Sequence, residues 1–455
     1  MGAFLWTSAE VRRALGLEAG ASAGRVYRRV CTDSRQAAPG DLFVALRGER
    51  FDGADFVADA ARAGAQGAVV ARAPRGLPPE FEVFEVPDTL AALGALARHR
   101  RRALDPTVVA VTGTNGKTTV KELIAAIASA AGPAYRSPGN YNNLVGVPLS
   151  ILEAPADAQV WVLELGTNRP GEIGALGAIA EPDIAVLTSA AEGHLEGLRD
   201  LPGVIEEKTS LLLALRPGGW AVVADEPPEL VGRARQRFPA VRTAGLGPDA
   251  DERPEAWSAG PEGVQVRWRG VEVACPLLGP HNARNLVLAL ATGRLLGIEP
   301  ERAAEAVRRM PPLPMRVERR DLGGLTLLVD CYNANPGSFR AAIETAKAVA
   351  GTRPRAAVVG TMLELGAEGP AWHRQVARAI VRAGFAPVGA SGEFVPAFEE
   401  MREGLGDALV TATDPVDLYP EFAKRLTGRE VVLLKASRGV RLERIVDLFV
   451  RDFGS

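Results

Sequence analysis

The stretch VVAVTGTNGKTTVKELIAAIASAAG, residues 108–132, carries the clearest chemistry in the chain. Small apolar residues lead into Gly113, Thr114, Asn115, Gly116, Lys117, Thr118 and Thr119, and a helical pattern follows. Strand, glycine-bearing loop and helix N-terminus together make an anion cradle. Backbone N–H groups converge on the ligand, and Lys117 adds a compact positive charge. Thr118 has the position whose hydroxyl binds Mg²⁺ in phosphate loops. The widespread loop pattern needs a glycine where this chain has Val111; the first glycine is Gly113, so the loop is shortened. An ATP-type site is expected, and the spacing alone leaves a kinase, an ATPase and a ligase open.

Such a loop needs a sheet behind it. TVVAVT, AQVWVLEL, DIAVLTS and WAVVAD read as strands separated by helical stretches, which predicts a parallel sheet covered on both faces. GVQVRWRGVEVACPLLG alternates with period two around an Arg-Gly turn and predicts an antiparallel hairpin added to that sheet. Before it, DLFVAL, GAVVA and FEVFEV mix with short helices, and VPDT makes a hinge. After the proline cluster MPPLPM, the runs LTLLVD, RAAVVG, ALVTAT and EVVLLKA predict a second doubly wound unit. The expected fold class is α/β in three domains: 1–87, 88–314 and 315–455.

Bulk properties exclude several functions. The chain has 455 residues, 47% hydrophobic and 24% charged, with a formal net charge of -2. That is an ordinary globular balance with no basic field for bulk nucleic-acid binding. Cys31, Cys275 and Cys331 are odd in number and widely spaced, which fits a reducing cytosol better than a disulfide framework. Glu10 and two arginines interrupt the apolar core a signal peptide would need; Thr7 and Glu10 read instead as a capping box. No apolar run approaches the roughly 18 residues of a membrane span. A soluble cytoplasmic protein, most simply a monomer, is expected.

Other residues invite a chemical reading. Glu164 ends a strand, where open α/β sheets place ligands, and offers a hard oxygen to Mg²⁺; alone it is an ordinary strand-end carboxylate. Lys208 interrupts the apolar stripe of Val204, Ile205, Leu211, Leu212 and Leu215. A lysine there either snorkels to solvent or, buried, loses its charge and becomes able to add CO₂. Asn282 and Asn285 share a helix face and suit the donor and acceptor edge of adenine, or cap the helix. Arg316 follows the proline linker, so it reaches the nucleotide only when the last domain folds over.

The shortened GTNGKTT loop resembles that of the Mur ligase superfamily, ATP-dependent amide ligases of peptidoglycan assembly and their folate-handling relatives. VLELGTNRPGEI, AEGHLEGL, LGPHNARNLVLALA, PMRVE, DCYNANPGS and LLKASRG follow in that superfamily's order, and TDSRQAAPGDLFVALRGERFDGADF and GNYNNLVGVP resemble its sugar-nucleotide segments. The resemblance implies ATP and two Mg²⁺ ions, with Glu164, His194 and a carbamylated Lys208 on metal and Arg316 on the γ-phosphate. It implies Asp330 facing the nucleotide, and Ser34, Arg35, Gly48, Asn142 and Asn143 at a UDP-sugar substrate. Tyr332, Asn333, Asn335, Lys435, Ser437 and Arg438 then belong to an acceptor region. YNANP, NYNNLVGVP and ELGTNRPGEI look like the branch that joins D-alanyl-D-alanine to UDP-MurNAc-tripeptide through an acyl phosphate. The preceding ligase, which adds a single third amino acid, normally shows an Asp-Asn-Pro-Arg-like signature that is absent here. A catalytically silent scaffold of the same fold is the remaining alternative.

Overall fold

The computed structural model describes residues 4–18, 24–48, 51–191 and 195–454. Three sheets dominate. The first has four parallel strands in chain order: Arg29–Cys31, Asp41–Val44, Gly67–Val70 and Glu82–Glu85. Its entry helix Ser8–Leu15 carries the expected capping box, with the Glu10 N–H donating to Thr7 Oγ1 at 3.2 Å and the Thr7 N–H to Glu10 Oε2 at 2.7 Å.

The second sheet has six parallel strands ordered Val241–Ala244, Trp220–Ala224, Ile184–Leu187, Thr107–Thr112, Val160–Glu164 and Ala134–Arg136. Thr107–Thr112 lies inside it; the chain passes next to the edge strand Ala134–Arg136, returns through Val160–Glu164, and then winds outward on the other side through Ile184–Leu187, Trp220–Ala224 and Val241–Ala244. Its C-terminal end is therefore the crevice where open sheets bind ligands. Alternate residues point to opposite faces. Val108 and Ala110 join the core beneath helix Thr89–Leu104, while Val109 and Val111 join the core beneath Lys117–Ser129 and His281–Leu295. Val111 pairs in register with Glu164, which sets that carboxylate beside the start of the loop.

The third sheet runs Glu318–Leu322, Leu325–Asp330, Val431–Lys435, Arg355–Val359, Phe385–Ser391 and Leu409–Ala412; the first strand is antiparallel and the others parallel. Asp330 and Lys435 are register partners at its C-terminal edge. Residues 309–317, around the proline cluster, join the second and third sheets without regular structure.

Two expectations need correction. The hairpin Gly263–Trp268/Val271–Cys275 does not extend the central sheet; with Ala256–Gly260 it forms its own three-stranded antiparallel sheet. Val264, Val266, Trp268, Val273 and Cys275 pack into the core of the helices, so its apolar face is covered without pairing to the parallel strands. Phe385–Ser391 was not anticipated as a strand because Pro387 and Gly389 break its pattern, nor was Glu318–Leu322, whose ERRDL is mostly charged.

Arg101 ties the central layers together. It is 1% exposed, donates to Asp183 Oδ2 at 2.9 Å and to the Ala180 carbonyl at 3.1 Å, and Asp183 also accepts the Val108 N–H. Arg101→Ala removes the Asp183 pair and leaves the Ala180 and Glu181 carbonyls without that donor, while Asp183 keeps the Val108 N–H and Arg216. We expect a loss of about 2 kcal/mol, read from the denaturant midpoint.

Candidate active site

The loop after Thr112 turns on two glycines. Gly113 and Gly116 have φ of 149° and 83°, in the left-handed half of conformational space. A Cβ on Gly113 would strike the Thr188 hydroxyl, and one on Gly116 would strike Asn285 Oδ1. The neighbouring strand end holds the loop from outside: Thr188 Oγ1 donates to the Asn115 carbonyl at 2.6 Å, and the Asn115 N–H donates to Ser189 Oγ at 2.9 Å. Lys117 Nζ folds back on the Gly113 and Thr114 carbonyls at 2.8 and 3.0 Å, which sets the ammonium across the cradle. Burial, with Arg316 nearby, holds Lys117 below the usual lysine range against the pull of Glu164 and Glu364.

A cleft of about 800 Å³ opens from this loop. Glu164 lies on its wall, 3% exposed. Thr118 Oγ1 donates to Glu164 Oε2 at 2.7 Å, Asn142 Nδ2 donates to Oε1 at 3.0 Å, and Lys121 Nζ stands 3.7 Å from Oε2. Burial alone would raise this carboxyl. Lys117, Lys121 and Arg316 outweigh it and hold Glu164 below the usual carboxylate range. Arg316 crosses from the third unit to donate to Thr118 Oγ1 at 2.7 Å, with its guanidinium 4.2 Å above the Tyr332 ring. Met315 and Val317 flank it at φ 56° and 52°. A left-handed valine is strained, and such strain persists where surrounding contacts impose it.

Lys208 is fully buried, and its Nζ has no hydrogen-bond partner among the described residues. Burial first, then Lys117, push it well below the usual lysine range, with Glu207, Glu172 and Glu164 opposing. It does not snorkel. Asn282 and Asn285 both line the cleft but bond each other: Asn285 Nδ2 donates to Asn282 Oδ1 at 2.8 Å, and Asn282 Nδ2 to the Leu278 carbonyl at 2.7 Å. Helix His281–Leu295 has Pro280 as its cap residue, so Asn282 is not the cap.

From the third unit, Asp330, Tyr332, Asn333, Asn335, Lys435 and Arg438 all line the cleft. Lys435 Nζ is taken by Asp330 Oδ2 at 2.6 Å and the Asn333 carbonyl at 3.0 Å. Ser437 stands behind the wall, its Oγ accepting the Leu363 N–H at 3.0 Å. Arg438 pairs with Glu443 at 3.0 Å.

Ser34, Arg35 and Gly48 lie in the first unit, outside this cleft. Arg35 is largely exposed and grips Asp33 through two nitrogens, at 2.9 and 2.7 Å. Asn142 reaches Glu164, whereas Asn143 Oδ1 accepts the Val145 and Gly146 N–H groups at 3.1 and 2.8 Å and sets the start of a helix. His194 lies outside the described residues.

The residue reading missed Lys121, Thr188, Ser189 and His281. Lys121 was legible, one turn beyond Lys117 on the same helix face. His281 lines the cleft with Nδ1 buried and unpartnered among the described residues; burial, with Lys435 adding and Asp330 opposing, brings it down to about 4.

Comparison with known proteins fits this geometry. The Mur ligase middle domain matches residues 111–293, the Mur ligase glutamate ligase domain 315–438, and the Mur ligase family catalytic domain 26–101. The UDP-N-acetylmuramoyl-tripeptide–D-alanyl-D-alanine ligase of Bacillus subtilis is 34% identical over 92% of this chain and 93% of its own length. The chain belongs to the Mur ligase family. The same-named ligase of Escherichia coli is 35% identical over 92% of both chains. Among solved Mur ligases, a MurF crystal structure from Acinetobacter baumannii superposes with a TM-score of 0.90 at 27% identity, covering 99% of this chain and 100% of the other. MurF from Thermotoga maritima in complex with ADP gives 0.81 at 28% identity, over 93% and 97%. No helix among the described residues is long and apolar enough to cross a membrane.

Lys121 and Glu164 generate a pH prediction. The surrounding cations favour the Glu164 carboxylate over the acid, so a reaction step that needs it ionised is expected to keep its acid limb below the ordinary carboxylate range. Lys121→Met removes one of the cations that depress it, so the carboxyl protonates at higher pH. The acid limb of the pH–rate profile should move to higher pH.

Proposed function

We propose that this chain is the ATP-dependent ligase that joins D-alanyl-D-alanine to the terminal carboxyl of UDP-MurNAc-tripeptide in peptidoglycan precursor synthesis. What carries this reading is the meeting of three features in one cleft: the phosphate loop, an ionised Glu164, and Arg316 arriving from the third unit. It occurs in a chain that matches two ligases of that name at 34% and 35% identity over 92% of its length.

The chemistry asks for such a meeting. A carboxylate resists amine attack because it is anionic and lacks a leaving group; moving the γ-phosphoryl of ATP onto it gives an acyl phosphate that an amine can attack. Such transfer depends on positioning and charge neutralisation, and needs no protein nucleophile. The loop N–H groups and Lys117 hold the phosphates, and Arg316 balances charge as the phosphoryl group moves. The amine nitrogen then bonds the carbonyl carbon and gives up a proton, the C–O bond to phosphate breaks, and inorganic phosphate leaves with the electron pair. The closed third unit keeps water from the acyl phosphate.

Thr118 and Glu164 suit a Mg²⁺ ion. It takes hard oxygen ligands and is commonly held by one or two carboxylates plus substrate phosphates. Their oxygens lie 2.7 Å apart at the cradle. When bound, the ion would neutralise phosphate charge. Lys208 suits carbamylation, since its amine is buried, unpartnered among the described residues and biased toward the neutral form. Addition of CO₂ forms an N–C bond, releases a proton and leaves a carbamate anion in place of the amine. Cytoplasmic action and a role in cell division follow from the same pathway.

The decisive assay incubates the protein with UDP-MurNAc-tripeptide, ATP and Mg²⁺, with and without D-Ala-D-Ala, and reads product mass. Pentapeptide should form only with the dipeptide, and Lys117→Ala should abolish it. Phosphate release triggered equally well by a free amino acid would defeat the dipeptide assignment. Lys208→Ala should be inactive and regain part of its turnover when a short-chain carboxylic acid is added. Failure of that rescue removes the carbamate and leaves the ligase reading intact.

A further inference from the structure

The third unit touches the phosphate loop at a second point, beyond Arg316, that takes no part in the chemistry above. Asn335 Nδ2 donates to Asn115 Oδ1 at 2.8 Å, joining residues 220 positions apart. Asn335 also caps helix Pro336–Ala350. Its Oδ1 accepts the Ser338 N–H at 2.8 Å, and its own N–H donates to Ser338 Oγ at 3.0 Å. The one amide thus serves two purposes, with its oxygen used inside its own helix and its nitrogen crossing to the neighbouring unit. Serine or aspartate would cap as well, but neither carries a nitrogen donor.

Asn115 is equally constrained. Thr188 and Ser189 hold its backbone on both sides, so its side chain stands as a fixed peg on the loop. Gly337 keeps the approach close, since a Cβ there would lie 3.3 Å from Asn115 Nδ2. The other loop contact, Arg316, sits on the irregular linker itself. A contact near the hinge leaves rotation about it free; one on the helix cap removes that freedom.

We infer that the Asn115–Asn335 amide bridge is a positioning pair that sets the third unit's register on the phosphate loop, so that the acceptor amine meets the activated carboxyl. This rests on the ligase reading above. Reacting atoms must be brought to about 3–3.5 Å in aligned geometry, and small errors remote from the chemistry are costly. The bridge links the loop that holds the phosphates to the helix start that lines the acceptor side of the cleft.

The test is steady-state kinetics on Asn115→Ala, Asn335→Ser and the double variant, with thermal unfolding and amide hydrogen exchange on each. Asn335→Ser retains a cap oxygen, so its unfolding midpoint should stay within about 2 °C of the parent. For the dipeptide, kcat/KM should fall about fivefold to tenfold in each single variant, the size one hydrogen bond carries, and no further in the double variant. Exchange should quicken together in residues 113–118 and 335–339. Losses that multiply in the double variant, losses that track a lowered midpoint, or unaltered turnover would each overturn the pairing. If the parent enzyme makes no amide product, the ligase reading fails instead, and linked exchange still decides whether the bridge joins the two units.

Discussion

A carboxylate buried at the head of a parallel sheet is the constraint on which this structure depends. Taking Glu164 out of water costs several kcal/mol unless opposite charge and hydrogen-bond donors surround it. Here they come from three directions: Lys117 and Lys121 from the helix after the loop, Asn142 from the next segment, and Arg316 across the linker through Thr118. The helix start, the loop and the third unit are therefore drawn together by one charge. That arrangement also leaves a dense cluster of cations where phosphate charge has to be neutralised.

The division of labour among the sheets follows from strand ends. The central sheet sets Glu164 opposite Val111 and Leu187 opposite Thr112, so the loop, the carboxylate and the Thr188–Ser189 brace arrive at one edge through register. The third sheet presents Asp330 and Lys435 as register partners at its own C-terminal edge, and their ion pair fixes the start of the Tyr332–Asn335 loop. The two edges face each other, which joins the outputs of two doubly wound folds into one cleft. The first unit stands apart from that cleft, with Arg35 held by Asp33.

Lys208 illustrates how burial biases an ordinary side chain toward its neutral form. It sits in an apolar stripe with no partner among the described residues, beside a helix end whose Glu207 is occupied with the Gly171 and Ile173 N–H groups at 2.6 and 2.7 Å. Glu207, the carboxylate that most opposes the shift, is thus committed to shaping the loop over residues 167–173, and the lysine amine is left biased toward its neutral form.

Local patterning was enough to read the phosphate loop, the strand that carries Glu164, the capping box at Thr7 and Glu10, and the misplaced lysine in its stripe. Each is written in residues a few positions apart, where period and spacing translate directly into geometry. The sequence by itself therefore determined three α/β units and a nucleotide-type cradle. Pairings between distant segments were decided only in three dimensions. Lys435 binding Asp330, Asn335 reaching Asn115, and the hairpin folding as its own sheet all depend on which surfaces meet once the cores are packed. A polar side chain's partner is whichever group lies within about 3 Å after folding, and nothing in its neighbours along the chain specifies that.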